Sequence, residues 1–323
     1  THQDTHVRSL HQDSHINLTE AIIRKIMKKI TLSVILWTLM SSLAFFAKAE
    51  FNHVVVESAA TPLQPIMIQG PMPIEAEYFA GLLDNVQTEK SGNATFYKGT
   101  LNGYPVVVVK TGKGLENTAA ATAVGIIKYR PLIIINQGTS GGHDPKLQVG
   151  DIVLGARSVN IGNFKTPKLA KAQGSNPLTW TPMDLMASEG SAGEGDSASD
   201  ANKIRYYAGD ETLISVAVSI RDTYTRGKIV KGTIGSANFW NNELDRIAWL
   251  HEEMGTSVEE METAAAAQVA YAYKTPMLGI RVLSNNITNH GEYDPSTAKA
   301  CQSFVKGVVE AYINQLNATL KPL

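Results

Sequence analysis

The chain holds one cysteine in 323 residues, Cys301, so no internal disulfide can brace it. Metal-ligand spacings are missing as well: neither His-Glu-x-x-His nor Cys-x-x-Cys occurs, and four of the eight histidines (His2, His6, His11, His15) crowd the first fifteen residues. No metal or other cofactor is therefore expected. The formal charge is -1, and no basic block lies beyond the N-terminal region. A nucleic-acid partner, whose phosphates need clustered Lys and Arg, is excluded on that ground. The apolar run Ile30 to Phe46 falls short of the roughly 20 residues that span a bilayer. What remains is a chain of 43% apolar content, long enough for one large α/β domain or two small ones, with a small molecule as the expected ligand.

The N-terminal part reads as an export signal. Met27-Lys28-Lys29 precedes the apolar run, and Ala47-Lys48-Ala49 has the small-x-small form of a cleavage site. The expected organisation is an upstream segment 1–26, a signal peptide 27–49 and a domain over 50–323. A periplasmic or secreted product follows, without stable membrane association once cleaved.

From Pro65 onward strands alternate with helices. Pro65 to Gln69 reads as a strand and Ile74 to Leu83 as an amphipathic helix. Ala94 to Gly99 and Pro105 to Thr111 form a hairpin about an Asn102-Gly103 turn. Leu115 to Tyr129 is an Ala-rich helix, and Leu132 to Asn136 is a strand apolar on both faces, as suits the centre of a covered sheet. Asp151 to Leu154 and Met277 to Leu283 are further strands. Thr212 to Thr223 and Thr297 to Leu316 are helices. The pattern predicts a three-layer α/β/α sandwich with a mixed central sheet. Between about 165 and 205 the pattern stops; Glu189 to Asp200 (E-G-S-A-G-E-G-D-S-A-S-D) reads as a flexible insertion or a solvated loop.

Two segments carry chemistry. Val258 to Thr263, V-E-E-M-E-T, places three carboxylates just before an apolar helical run. Held extended, Glu260 and Glu262 point to one side, where they could accept hydrogen bonds from the vicinal diol of a ribose. An acidic helix start satisfying the dipole is the alternative. Asn136 to Gly142, N-Q-G-T-S-G-G, reads as a glycine-rich loop outside a strand end, where backbone N–H groups can approach a ligand; taken alone, such a loop more often is a tight turn without one. His143 and His290 lie near these segments and receive no role.

Five motifs in order make the chain resemble the nucleoside phosphorylases and nucleosidases related to methylthioadenosine/S-adenosylhomocysteine nucleosidase. They are G-P-M-P-I-E-A-E from Gly70, T-G-K-G-L-E-N-T-A-A-A from Thr111, I-I-N-Q-G-T-S-G-G with D-P-K-L-Q-V-G-D-I-V from Ile134, V-E-E-M-E-T-A-A from Val258, and R-V-L-S-N from Arg281. The resemblance covers Ile66 to the C-terminus outside the insertion. It implies that Glu262 holds the ribose hydroxyls, with Met261 against the sugar and Glu260 close by. It also implies that Glu75 deprotonates an attacking water, with Arg281 and Thr139 nearby. Gly141 and Ser284 belong to the same substrate-binding motifs. In Ser236 to Trp240 it implies an aromatic ring on the base, Trp240 in preference to Phe239. A homodimer is implied as well.

An N-glycosidic bond breaks toward a cationic sugar and an electron-rich purine, so such a site must stabilise both. The family supplies an aspartate for the base in R-x-x-S-D, and this chain has Asn285. An amide cannot transfer a proton, although it donates one hydrogen bond and accepts another. Two readings stand. In one, Asn285 pairs with N7 and O6 of a 6-oxopurine, as in trimeric purine nucleoside phosphorylases. In the other, catalysis is weak and the protein binds or stores nucleosides, as the fold-sharing, exported bark storage proteins suggest. The phosphate-binding arginine of the phosphorylases is Asn136 here, and no arginine occurs from Phe51 to Tyr129. Water is thus the expected acceptor. Lys110 and Lys113 keep phosphorolysis open.

Overall fold

The computed structural model describes residues 62–188 and 202–320. The upstream segment 1–26, the signal peptide 27–49 and the Glu189 to Asp200 stretch lie outside the described residues. In chain order the elements are β1 (Ile66–Gly70), α1 (Pro73–Ala80), β2 (Asp84–Ser91), β3 (Ala94–Leu101), β4 (Tyr104–Lys110), α2 (Leu115–Tyr129), β5 (Ile133–Gly142) and β6 (Ile152–Asn160). Short strands follow: β7 (Phe164–Lys165), β8 (Thr181–Pro182), β9 (Leu185–Ser188), β10 (Asn202–Ile204) and β11 (Tyr206–Ala208). The remainder is α3 (Glu211–Ser219), β12 (Ile229–Ser236), α4 (Leu244–Met254), β13 (Thr256–Glu260), α5 (Thr263–Ala272), β14 (Met277–Asn285) and α6 (Thr297–Leu320).

Alternation along the buried strands builds the layers. In β1, Ile66 and Ile68 enter one core with Phe79 of α1, Leu213 of α3 and Val305 of α6, while Met67 enters a second with Ala121 of α2 and Ala266 of α5. The mixed sheet between these helix layers runs β11-β6-β12-β13-β5-β1-β4-β3-β2. Because β14 pairs with both β5 and β6, strands β5, β13, β12, β6 and β14 close into a ring. The three-layer α/β/α class expected from the sequence is the observed one.

Helix α2 has the bounds expected for it. Asn102 and Gly103, both with positive φ (51° and 79°), make the turn between β3 and β4. Three differences have physical causes. Strand β2, D-N-V-Q-T-E-K-S, went unrecognised because it is a mostly exposed edge strand with no apolar face to show. The stretch N-Q-G-T-S-G-G is not a loop: β5 runs through it to Gly142, held by β14 on one side and β13 on the other. The described part of the 165–205 insertion is not featureless either, since β7 pairs with β8 and β9 with β10. It is clamped to α4: the Arg246 guanidinium lies 4.6 Å from the Phe164 ring centroid, 4.5 Å from Trp249 and 5.5 Å from Trp180, and donates to Pro177 O at 2.7 Å.

Candidate active site

Glu75 owes its place to a close turn between β1 and α1. Pro73 opens the helix with a preset φ, and a Cβ on Gly70 would lie 2.3 Å from Glu75 O, so only glycine lets the chain fold back this tightly. The Glu75 side chain is buried (2% exposed) and its Oε1 accepts from Thr139 N at 2.8 Å and Thr139 Oγ1 at 2.7 Å. Its Oε2 is also buried and accepts no hydrogen bond among the described residues. Such an oxygen costs about 1–3 kcal/mol unless a ligand or solvent hydroxyl donates to it.

At the end of β13 the two carboxylates expected to share a diol have different tasks. Glu260 is filled by protein donors: Ser236 Oγ, the backbone N–H groups of Glu262 (3.0 Å) and Thr263 (2.9 Å), Thr263 Oγ1 (3.0 Å) and Arg281 Nη2 (2.8 Å). It fixes the strand-to-helix junction and has no acceptor capacity left for a sugar. Glu262 is less engaged, with Oε1 accepting from Gly114 N at 3.1 Å and Oε2 from Met261 N at 3.2 Å.

Arg281 was expected beside the reacting atoms, and the structure puts it underneath them. It is fully buried, bonded to Asn136 Oδ1, Thr263 Oγ1 (3.2 Å) and Thr139 O (3.3 Å), with Glu262 Oε2 3.5 Å from Nη1. It does not line the cavity. Burial opposes its charge, but Glu260, Glu262 and Glu75 outweigh burial and hold it above its ordinary value.

Burial pushes the Glu262 carboxyl up to about 8; Arg281 opposes this, and the charge on Glu260 adds to it. A carboxyl whose pKa is raised in the folded state binds more protons folded than unfolded. Its contribution to stability is therefore present near the unfolded value and is lost as pH rises toward 8. Glu262→Gln is expected to flatten the fall in melting temperature between about pH 5 and 8. Equal slopes for the two proteins in thermal melts across that range would count against a Glu262 that holds its proton.

These groups surround a cavity of ≈ 210 Å³ lined by Glu75, Thr139, Gly141, Phe239, Trp240, Glu260, Met261, Glu262, Ser284 and Asn285, together with residues given no role from sequence. All the candidate site residues except Arg281 thus meet at one place. Trp240 and Phe239 are 65% and 62% exposed, at the mouth; Trp240 Nε1 donates to Asn242 Oδ1 at 3.2 Å. Ser284 Oγ lies 3.2 Å from both Ser140 O and Asn285 Oδ1, so its one proton serves one of them at a time.

Sequence reasoning missed Glu259, His143 and Asn241, which also line the cavity. Strand parity turns Glu259 away from its neighbour Glu260 on β13, yet both line the cavity, which closes around the end of that strand. His143 and Asn241 come from separate elements, and no sequence pattern joins them to it. Among the described residues, no group of three His, Cys, Asp or Glu is placed to hold a metal ion.

The model of the phosphorylase superfamily matches residues 65–314. A 5'-methylthioadenosine/S-adenosylhomocysteine nucleosidase of Psychromonas ingrahamii is 30% identical over 258 residues, covering 78% of this chain and 99% of that relative. One from Bacillus cereus is 28% identical over 221 residues, covering 68% and 85%. Among solved structures, the Neisseria meningitidis nucleosidase of the same name, in complex with methylthio-immucillin-A, matches with a TM-score of 0.61 at 24% identity, covering 77% of this chain and all of that one. A futalosine hydrolase of Helicobacter pylori matches at 0.60 and 20% identity, covering 76% and 97%.

Proposed function

Because the chain belongs to the phosphorylase superfamily, we propose that it is an exported purine nucleosidase, cleaving the N-glycosidic bond of a purine nucleoside with water as acceptor. The observation that carries this reading is the gathering of Glu75, whose buried Oε2 has no hydrogen-bond partner among the described residues, with Glu262 and Asn285 around one cavity. The nucleosidase names of the relatives support it. Export rests on Met27 to Ala49, and a homodimer on the family resemblance.

In this reading the ribose lies over Met261 with its hydroxyls donating to Glu262. The C1'–N9 bond breaks with its electron pair leaving on the purine; the ribose hydroxyls, by donating to Glu262, favour its charged form, and that carboxylate opposes the positive charge that grows on the sugar. Asn285 Nδ2 donates to the base nitrogen that becomes electron-rich. Glu75 takes a proton from water as the water oxygen bonds to C1', and the departing purine anion takes up a proton from solvent, yielding free base and ribose. Arg281 acts from below, keeping the carboxylates ionisable and in place. Its guanidinium is already paired with Glu260 and does not line the cavity, which leaves little for a phosphate dianion.

The test is base release from adenosine, methylthioadenosine, inosine and guanosine, with and without phosphate, followed by chromatography. Release without phosphate is expected. Stimulation by phosphate would make the protein a phosphorylase, and binding without release would leave a nucleoside-binding or storage protein. Asn285→Asp restores a group able to donate a proton, so it is expected to raise kcat/KM on 6-aminopurine nucleosides by about 10². A fall on every substrate would refute the view that Asn285 is an impaired acid.

A further inference from the structure

The geometry points to Glu259 as the residue that selects the base: with Asn285 it forms a donor–acceptor pair that reads the O6/N1–H edge and so favours 6-oxopurines, the bases of inosine and guanosine, over 6-aminopurines. This rests on the nucleosidase reading above and names its substrate class.

Three adjacent strands build the pair. Gly141 of β5 is the register partner of Glu259 on β13 and of Asn285 on β14. The register of β14 shifts just there, between Leu283 and Asn285, and both side chains reach the space where a Gly141 side chain would stand. A Cβ at Gly141 would lie 3.7 Å from Asn285 Nδ2 and 3.8 Å from Glu259 Cγ. The missing side chain therefore leaves a gap floored by backbone, with the Asn285 amide on one side and the Glu259 side chain, nearest at its Cγ, on the other. All three residues line the cavity.

Glu259 is held in a fixed orientation. Asn241 donates its backbone N–H to Oε1 at 3.0 Å and its side-chain amide to Oε2. His143 Nε2 lies 3.0 Å from Oε2, and its Nδ1 is 2.7 Å from Thr256 Oγ1. The Glu259 side chain is only 13% exposed, so its oxygens need polar partners. An ionised carboxylate has about four acceptor sites. Asn241 occupies two, and His143 Nε2, although 3.0 Å from Oε2, makes no hydrogen bond among the described residues, which leaves capacity for a ligand N–H.

The order of groups along the purine edge decides between base classes. When Ser284 gives its proton to Asn285 Oδ1, the amide presents only Nδ2, a donor with two N–H bonds. In a 6-oxopurine N7 and O6 both accept, and the next atom, N1, carries a hydrogen that Glu259 can accept. In guanine the 2-amino group adds a second donor beside it. In a 6-aminopurine N1 is a lone pair facing a carboxylate, and the 6-amino group meets the donor of Asn285.

The experiment measures free-base affinity by calorimetry, which needs no turnover, alongside kcat/KM on the four nucleosides. Hypoxanthine and guanine are expected to bind about tenfold or more tightly than adenine, and Glu259→Gln to shrink that ratio about 10- to 100-fold, the range for one hydrogen bond to a charged group. Glu259→Asp keeps the charge, withdraws it from the gap and is expected to shrink the ratio too. Tighter binding of adenine by the unaltered protein would overturn the assignment. So would an equal loss for all three bases in both variants, which would mark Glu259 as merely structural. Preferred hydrolysis of adenosine would sink this inference while sparing the nucleosidase reading. The expected base ratio without release from any nucleoside would do the reverse.

Discussion

Glu75→Gln is expected to lower kcat by about 10² to 10⁴ on every nucleoside the protein hydrolyses, with KM changed by no more than about threefold. Glutamine has nearly the shape of glutamate and can still accept from Thr139 N and Oγ1 through its carbonyl oxygen. What it cannot do is take a proton from water. The buried, unpartnered Oε2 would become an amide that donates where an acceptor is needed. Binding of base and ribose, assigned to Asn285 and Glu262, would persist, so the loss should fall on kcat. Steady-state kinetics with the best substrate would decide. A variant retaining more than about a third of the activity would mean that water is activated elsewhere.

Arg281→Met is expected to destabilise the fold by about 3–5 kcal/mol, because removing one member of a buried ionic group leaves the others uncompensated. The guanidinium has no exposed surface and lies 2.8 Å from Glu260 and 3.5 Å from Glu262. It also donates to Thr263 Oγ1 and Thr139 O, which are left with fewer partners when it is gone. For a protein of this size the loss corresponds to a fall in Tm of about 10 °C. Adding Glu260→Gln to Arg281→Met removes one stranded charge and should recover part of the fall. Melting temperatures of the two proteins at pH 8 test this. A single variant that melts with the parent protein would show that the carboxylates do not need the arginine to stay buried.

Helix α2 and the β3–β4 hairpin were legible in the sequence because their signals are local: a run of Ala, Ile and Val ending at Tyr129, and an Asn-Gly pair that tolerates left-handed φ. Strand β2 was not, since an edge strand needs no apolar face. The path of β5 through N-Q-G-T-S-G-G was hidden for another reason. Glycine there serves the approach of other side chains: a Cβ on Gly138 would meet Arg281 Nη1 at 2.6 Å and Glu75 Oε1 at 2.9 Å.

The motifs gave most of the cavity wall, yet they did not divide its labour. Glu260 and Glu262 look alike in V-E-E-M-E-T. They part company because Arg281, Ser236 and Thr263 arrive from β14, β12 and the start of α5 to fill the first and leave the second partly free. Glu259 was passed over because its partners, His143 and Asn241, are distant in sequence and meet it only across the sheet.

The sequence by itself determined the α/β class, the family and the candidate residues that line part of the cavity, since periodicity and motif order are properties of the chain. Which carboxylate is free, which arginine is buried beneath the floor and which pair flanks Gly141 were decided by tertiary structure alone. Hydrogen-bond saturation and desolvation depend on neighbours brought together from separate strands, and a linear pattern of residues does not encode those distances.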